Sequence, residues 1–444
     1  MAGPAAGSAS RRGDLAPVTA EVAVPQDVLS PAEQHLLADA GHPQGHAYHL
    51  PMTVHISGPL DQVAVIRAVD ALVARHAGLR TRYPTVAGRP LRVVDEPGSG
   101  TPVPVVLHTC TGPDPLAEAV ALAEADLRRP FDLATGPVVR CLLASCGPRD
   151  HLLSLVVHHV VADGWSLSVL RRDLAALHAA IVAGQPPQLP RVTGFAGYAR
   201  TQARAVAAGE FDPGLAFWAD RLRGVDPLEV AADRPDDGSM AGARLDFTVT
   251  GATADGLRRL RDETGGTDFM VLFAAVQAWL GAASGQRRFV VAVPVSNRPD
   301  LAAEEVVGDF ANVLPVPVDL TGTPSTRELV GRVRDTLTAV WEHQDVPYPL
   351  LPAAVGARAM FAVQNLPATP DRAGPLTFRE VTPERGTSRY DLHVRLTPSA
   401  DGFTGWLEYA TARFDPTTAA DRLAALRGML DRAAGSPDTP LLED

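Results

Sequence analysis

Apolar positions along this chain switch repeatedly between a spacing of two and a spacing near four, so strands and helices intermix throughout. "LSPAEQHLLAD" (Leu29–Asp39) opens with Ser30 as an N-cap, Pro31 at the first helical position and Glu33 three residues after the cap, which predicts a helix. "HLPMTVHISG" (His49–Gly58) predicts a strand, and Asp61–Leu79 an amphipathic helix. "LRTRYPTVAGRPLRVV" predicts two strands about a glycine turn, and "PLAEAVALAEADLRRPFD" a helix stopped near Pro130. "VVRCLLASCGPRDHLLSLVVHH" predicts a hairpin turning at Gly147–Asp150, followed by a helix from Trp165 to Gly184.

"GQPPQLP" (Gly184–Pro190) then breaks the pattern as a Pro-rich polar linker after a helix stop. Beyond it, "FDPGLAFWADRLRG" predicts a helix and "ARLDFTVTG" a strand. "DFMVLFAAVQAWLGAASG" predicts a helix apolar on all sides, hence buried, and "RRFVVAVPVSNR" a strand covered on both faces. "STRELVGRVRDTLTAVWEHQ" and "TTAADRLAALRGMLDRAAG" predict helices; "RAMFAVQNL", "SRYDLHVRL" and "FTGWLEYAT" predict strands. The intermixture lacks the strict alternation of a doubly wound sheet and predicts two α/β (α+β sandwich) lobes. The expected division is a disordered lead-in over 1–18, an N-terminal lobe over 19–187 and a C-terminal lobe over 188–444.

Composition narrows the function classes. The 444 residues are 46% hydrophobic and 20% charged, an ordinary globular balance, with a formal net charge of −11. That charge argues against nucleic acid and anionic membrane surfaces as partners. Cys110, Cys141 and Cys146 form no disulfide framework and fit a reducing cytoplasm as small buried hydrophobes. No stretch resembles a signal peptide or a membrane span of about 20 apolar residues.

Candidate chemistry concentrates where the predicted hairpin runs into the next helix, at "HHVVADGWS" (His158–Ser166). Consecutive strand residues face opposite ways, so His158 and His159 cannot share a metal, and no zinc-spaced ligand cluster accompanies them; no metal is expected. An imidazole beside a helix N-terminus instead suits acyl transfer: a base or hydrogen-bond partner for a nucleophile, and N–H donors for developing negative charge. No GxSxG elbow is present, so direct transfer without an acyl-enzyme is the simplest scheme.

"HHVVADGWS" resembles the HHxxxDG motif of the condensation domains of nonribosomal peptide synthetases, in the chloramphenicol acetyltransferase-like superfamily. The likeness extends, in order, through "LSPAEQHLL", "RHAGLRTRYP", "RPFDLATGPVVR", "FWADRLRGVDPLEVAADRP", "DFMVLFAAVQAWL", "VAVPVSNR", "VVGDFANVLPVPVDL" and "HQDVPYPLL". It implies two acetyltransferase-like lobes in a V with the active site in a tunnel between them. It implies that His159 is catalytic and that Asp163 is structural, paired with Arg298 of "VSNR". His158 reads as a packing residue. Gly164 reads as a point of close backbone approach, and Trp165 and Ser166 as packing and helix start. Gln364, Asn365 and Ser388, with Trp165, are possible tunnel-lining residues, whereas His343 caps its helix.

The implied reaction moves an acyl or aminoacyl group from a phosphopantetheine thioester on a peptidyl carrier protein, met in trans, to an amine or hydroxyl acceptor. That acceptor is a small molecule or is itself carrier-bound. No permanently bound cofactor is implied, because the arm belongs to the partner. With no adenylation motif or carrier-type Gly-Gly-x-Ser segment, a free-standing, monomeric, cytoplasmic condensation enzyme of natural-product biosynthesis is expected. A polyketide-associated O-acyltransferase and a non-catalytic carrier-protein recruitment module are the alternatives. Epimerization relatives, with their acidic EGHGRE-like motif, and heterocyclization relatives, with aspartates replacing the first histidines, depart from this sequence.

Overall fold

The computed structural model describes residues 28–352, 356–367 and 371–442; the expected lead-in over 1–18 lies outside them. Two six-stranded sheets organise the chain. The first runs, edge to edge, Arg372–Ala373, Leu376–Val381, His49–Ser57, Asp150–His158, Val139–Gly147 and Val105–Thr109. The second runs Asn312–Asp319, Arg288–Val295, Ala359–Val363, Leu392–Ser399, Gly402–Ala410 and Gly242–Thr250. Each sheet packs helices to form its own hydrophobic core.

The halves are not separable at one point in the chain. Leu376–Val381 pairs antiparallel with His49–Ser57 and so adds a C-terminal segment to the first sheet. Leu376 and Val307, both from the second half, are buried in the first core. The linker after Gly184 carries no helix or strand until Ala196–Ala207, a helix the sequence pattern does not predict.

The apolar helix Asp268–Ser284 is buried at every position from Met270 to Gly281. Thr267 caps its start, accepting from the Met270 N–H at 3.2 Å. Its Phe273 stacks on Phe361 of the second sheet, with ring centroids 5.2 Å apart and planes 4° from parallel. No single helix among the described residues is long and apolar enough to cross a membrane.

Strand Asn312–Asp319 carries Pro315 and Pro317, which argue against a strand by pattern. It lies at the sheet edge, paired among the described residues only with Arg288–Val295, where a missing N–H breaks no ladder.

Candidate functional site

The hairpin Val139–Gly147/Asp150–His158 delivers the two histidines. Its second strand is central and buried from His151 to His158, so its end is firmly placed. His158 closes the strand with its ring inside: Nδ1 accepts from the Val160 N–H at 3.1 Å, and His49 lies edge-on at 5.6 Å. Burial, then the neighbouring His49 and His159, push its pKa down to about 3. It packs and holds the turn.

His159 begins the single helical turn His159–Val161 and faces the other way. Its ring lies deep, yet 16% of the side chain remains open to water. Nδ1 stands 3.5 Å from Oδ1 of Asp309, which comes from the second half of the chain. Both atoms are buried without another hydrogen-bond partner, so they face each other as two unsatisfied groups. Burial pushes His159 down to about 4, helped by the charges of Arg389 and Arg385. Burial raises Asp309 well above the carboxylic range, helped by Asp163 and Glu33. Both directions favour an uncharged pair.

Asp163 is the N-cap of the helix Gly164–Ala183 and the junction of the halves. Its Oδ1 accepts from the Ser166 N–H at 2.7 Å and from Arg298 Nη2 at 2.8 Å; its Oδ2 accepts from the Phe310 N–H at 3.1 Å. The Asp163 and Arg298 side chains are 2% and 3% exposed. Arg298 also donates to the Ala303 carbonyl and, at 2.8 Å, to that of Val306, and lies 4.3 Å from the Phe310 ring centre. Asn297, at φ 47°, turns the chain just before it; asparagine tolerates that left-handed conformation better than most residues. Ser166 Oγ accepts from the Gly308 N–H at 3.2 Å. A Cβ on Gly308 would fall 2.4 Å from the Phe195 ring, so only glycine permits this approach.

The other residues singled out by sequence separate. Gly164 is exposed, and a Cβ there would meet Leu366 at an ordinary 3.8 Å. Trp165 bridges the halves, donating from Nε1 to the Glu304 carbonyl at 3.0 Å. Gln364 and Asn365 follow strand Ala359–Val363 rather than lying in it, and Gln364 is held by its N–H on the Leu396 carbonyl at 2.7 Å. Ser388 is buried before strand Leu392–Ser399, its hydroxyl spent on the Tyr390 carbonyl at 2.7 Å. His343 stacks on Phe217 at 4.0 Å.

Sequence reasoning misses Asp309, Arg385 and Arg389. The one available signal is an acid inside the otherwise apolar "VVGDFANVL". Arg389 lies 5.2 Å over the Tyr48 ring, and Arg385 donates to the Ala47 carbonyl at 3.1 Å. The arrangement supplies a mostly buried imidazole held neutral, an adjoining acid and two guanidinium charges, drawn from both halves.

Comparison with known proteins places the chain in a family. The condensation domain family model matches residues 28–443. A protein of the linear gramicidin synthase of Brevibacillus parabrevis is 30% identical over 98% of this chain, which spans 6% of that protein. Phosphinothricin tripeptide synthetase PhsC of Streptomyces viridochromogenes is 33% identical over 91% of the chain, 39% of its own length. The chain therefore spans well under half of these curated relatives. Among solved structures, the X-domain from teicoplanin biosynthesis superposes with a TM-score of 0.84 at 25% identity, covering 96% of this chain and 99% of that one. The first condensation domain of the calcium-dependent antibiotic synthetase, with a bound substrate analogue, gives 0.83 at 22% identity over 94% and 97%, a likeness of fold. The chain belongs to the condensation-domain family.

Proposed function

We propose that this protein transfers an acyl or aminoacyl group from a carrier-protein phosphopantetheine thioester directly to an amine or hydroxyl, with His159 as the catalytic residue. The observation that carries the reading is the His159 imidazole: depressed to about 4, its side chain 16% open to water and its Nδ1 facing Asp309 of the second half. A neutral ring holds a lone pair ready at neutral pH. The acceptor's nitrogen or oxygen attacks the thioester carbonyl while its proton passes to the imidazole. The C–S bond then breaks, and the proton leaves with the sulfur as a thiol. An amine needs chiefly positioning, whereas a hydroxyl leans harder on the base. Asp309 acts as a positioning residue, its carboxyl fixing the ring from the Nδ1 side. Asp163 and Arg298 hold the loop to the second half and do not meet the reacting atoms.

No resident cofactor is part of this scheme, since the pantetheine arm arrives with the carrier. Action in the cytoplasm as a monomer fits the same reading. A second reading, a recruitment module without chemistry, is favoured by the likeness to the teicoplanin X-domain, which is also solved as a complex with OxyB. The test is incubation with acyl- and aminoacyl-loaded carrier proteins and a panel of amine and alcohol acceptors, with products read by mass spectrometry. An amide or ester that requires both the loaded carrier and this protein supports the proposal. Carrier binding with no product across the panel supports the recruitment module.

A further inference from the structure

A group of ligand-type side chains lies apart from His159, at the outer edge of the first sheet. Strand Val105–Thr109 runs parallel to Val139–Gly147, with His108 opposite Ala144 and Thr109 opposite Ser145. The Cys110 N–H continues the ladder to the Ser145 carbonyl at 2.9 Å. Cys110 therefore comes level with Cys146, both pack in one apolar cluster, and burial raises both thiols above their ordinary range. Side chains two apart on a strand share a face, so His108 points the same way as Cys110. The helix Pro115–Leu127, capped by Asp114, covers that face and brings Glu118 down from its first turn.

His108, Cys110 and Glu118 thus present an imidazole nitrogen, a sulfur and a carboxylate oxygen within 4.8 Å of one another. Glu118 is oriented from behind: its Oε2 accepts the Thr111 and Gly112 N–H groups at 3.1 and 2.8 Å, leaving Oε1 toward His108 Nε2 at 3.2 Å. Those backbone bonds, Gly112 foremost, hold its carboxyl below the ordinary range. A carboxylate steadied by second partners is how ligating groups are fixed in metal sites.

We propose that His108, Cys110 and Glu118 form a structural site for a thiophilic divalent cation of the zinc class, with Cys146, which lies outside that group of three, swinging in as the fourth donor. One sulfur at about 2.3 Å, one nitrogen at about 2.0 Å and one oxygen at about 2.1 Å from the metal require the three groups to close by roughly 1 Å. His108, 40% exposed on an edge strand, has the freedom to do so. Binding balances by release of protons: each thiol gives up its proton to solvent as the sulfur–metal bond forms, and the Nε2 proton of His108 is likewise lost or moves to Nδ1. The metal would pin the sheet edge to the helix, and it shares no residue with the His159 site.

The test uses the full chain, stripped with chelator under reducing conditions and then titrated with cobalt(II). The expected result is a sulfur-to-cobalt charge-transfer band with the strong visible absorption of a tetrahedral site, saturating near one equivalent and displaced by zinc. Cys110→Ser should lose the charge-transfer band and at least about tenfold in affinity, a free-energy change of about 1.4 kcal/mol. Cys146→Ser should weaken the band while retaining binding. Absence of the band in the wild-type protein, or the same band and affinity in Cys110→Ser, would overturn the proposal. So would a purified protein lighter by two hydrogens with Cys110 linked to Cys146, since that disulfide would consume the ligands. Neither variant touches the acyl-transfer site, so these outcomes are read independently of any activity.

Discussion

Replacing Arg298 with methionine removes the cation that ties the two halves together at Asp163. Methionine keeps much of the apolar stem's volume, so the dominant loss is electrostatic. The two side chains are 2% and 3% exposed, and Asp163 would keep only its Ser166 and Phe310 N–H partners and the Ser166 hydroxyl. Breaking a buried pair from one side strands the other charge and costs about 3–5 kcal/mol. The lost stacking on Phe310 falls inside that range. Adding Asp163→Asn removes the stranded charge, so the double variant should cost about 2 kcal/mol less than the sum of the singles. Urea denaturation gives the overall loss. Hydrogen exchange at the Phe310 amide, which donates to Asp163, reports the local opening. A cost below about 1 kcal/mol for Arg298→Met, with Phe310 still protected, would class the pair with surface ion pairs and refute its role as the junction.

Because a depressed histidine loses its lone pair only below its folded-state value, the acid limb of kcat/KM should fall near pH 4 rather than near 6.5. Arg389→Gln removes a positive neighbour, which eases protonation and should move that limb upward; an unmoved limb would show that Arg389 does not act on the ring. The same depressed value makes His159 destabilising as pH falls below its unfolded value, since unfolding then takes up a proton. Asp309→Leu, close in shape but with no polar atom to meet Nδ1, should lower kcat at least about tenfold, or 1.4 kcal/mol of transition-state stabilisation, with little change in KM; an unchanged kcat would remove its positioning role. Phe273→Ala, opening a cavity against Phe361, should cost about 3–5 kcal/mol in urea denaturation and leave the pH limb in place.

Local pattern reveals the elements that deliver the site but not the partners that complete it. The hairpin turn at Gly147–Asp150 and the helix after it are legible because a turn and an apolar periodic run announce themselves within a few residues, although the helix starts at Gly164, capped by Asp163, rather than at Trp165. The pairing of Asp163 with Arg298 follows from family resemblance rather than from spacing, across 135 residues of chain. Asp309 shows locally only as an acid in an apolar run and Arg389 not at all, because their roles exist only once the second half folds over His159. The crossover of Leu376–Val381 into the first sheet is hidden for the same reason: strand pairing is long-range, and any half-polar strand could serve either sheet. Gln364 and Asn365 read as strand by pattern, yet the strand stops at Val363, within the usual uncertainty of an element's end.

His159→Ala tests the account most directly, measured as product formed from an acyl-loaded carrier and its acceptor at neutral pH. Because His158, not His159, packs against the strand, the variant should stay folded, as circular dichroism and the urea midpoint will show. Loss of a positioned general base predicts a fall of about 10²–10⁴-fold in kcat. A folded His159→Ala protein that forms product at the wild-type rate would contradict the assignment.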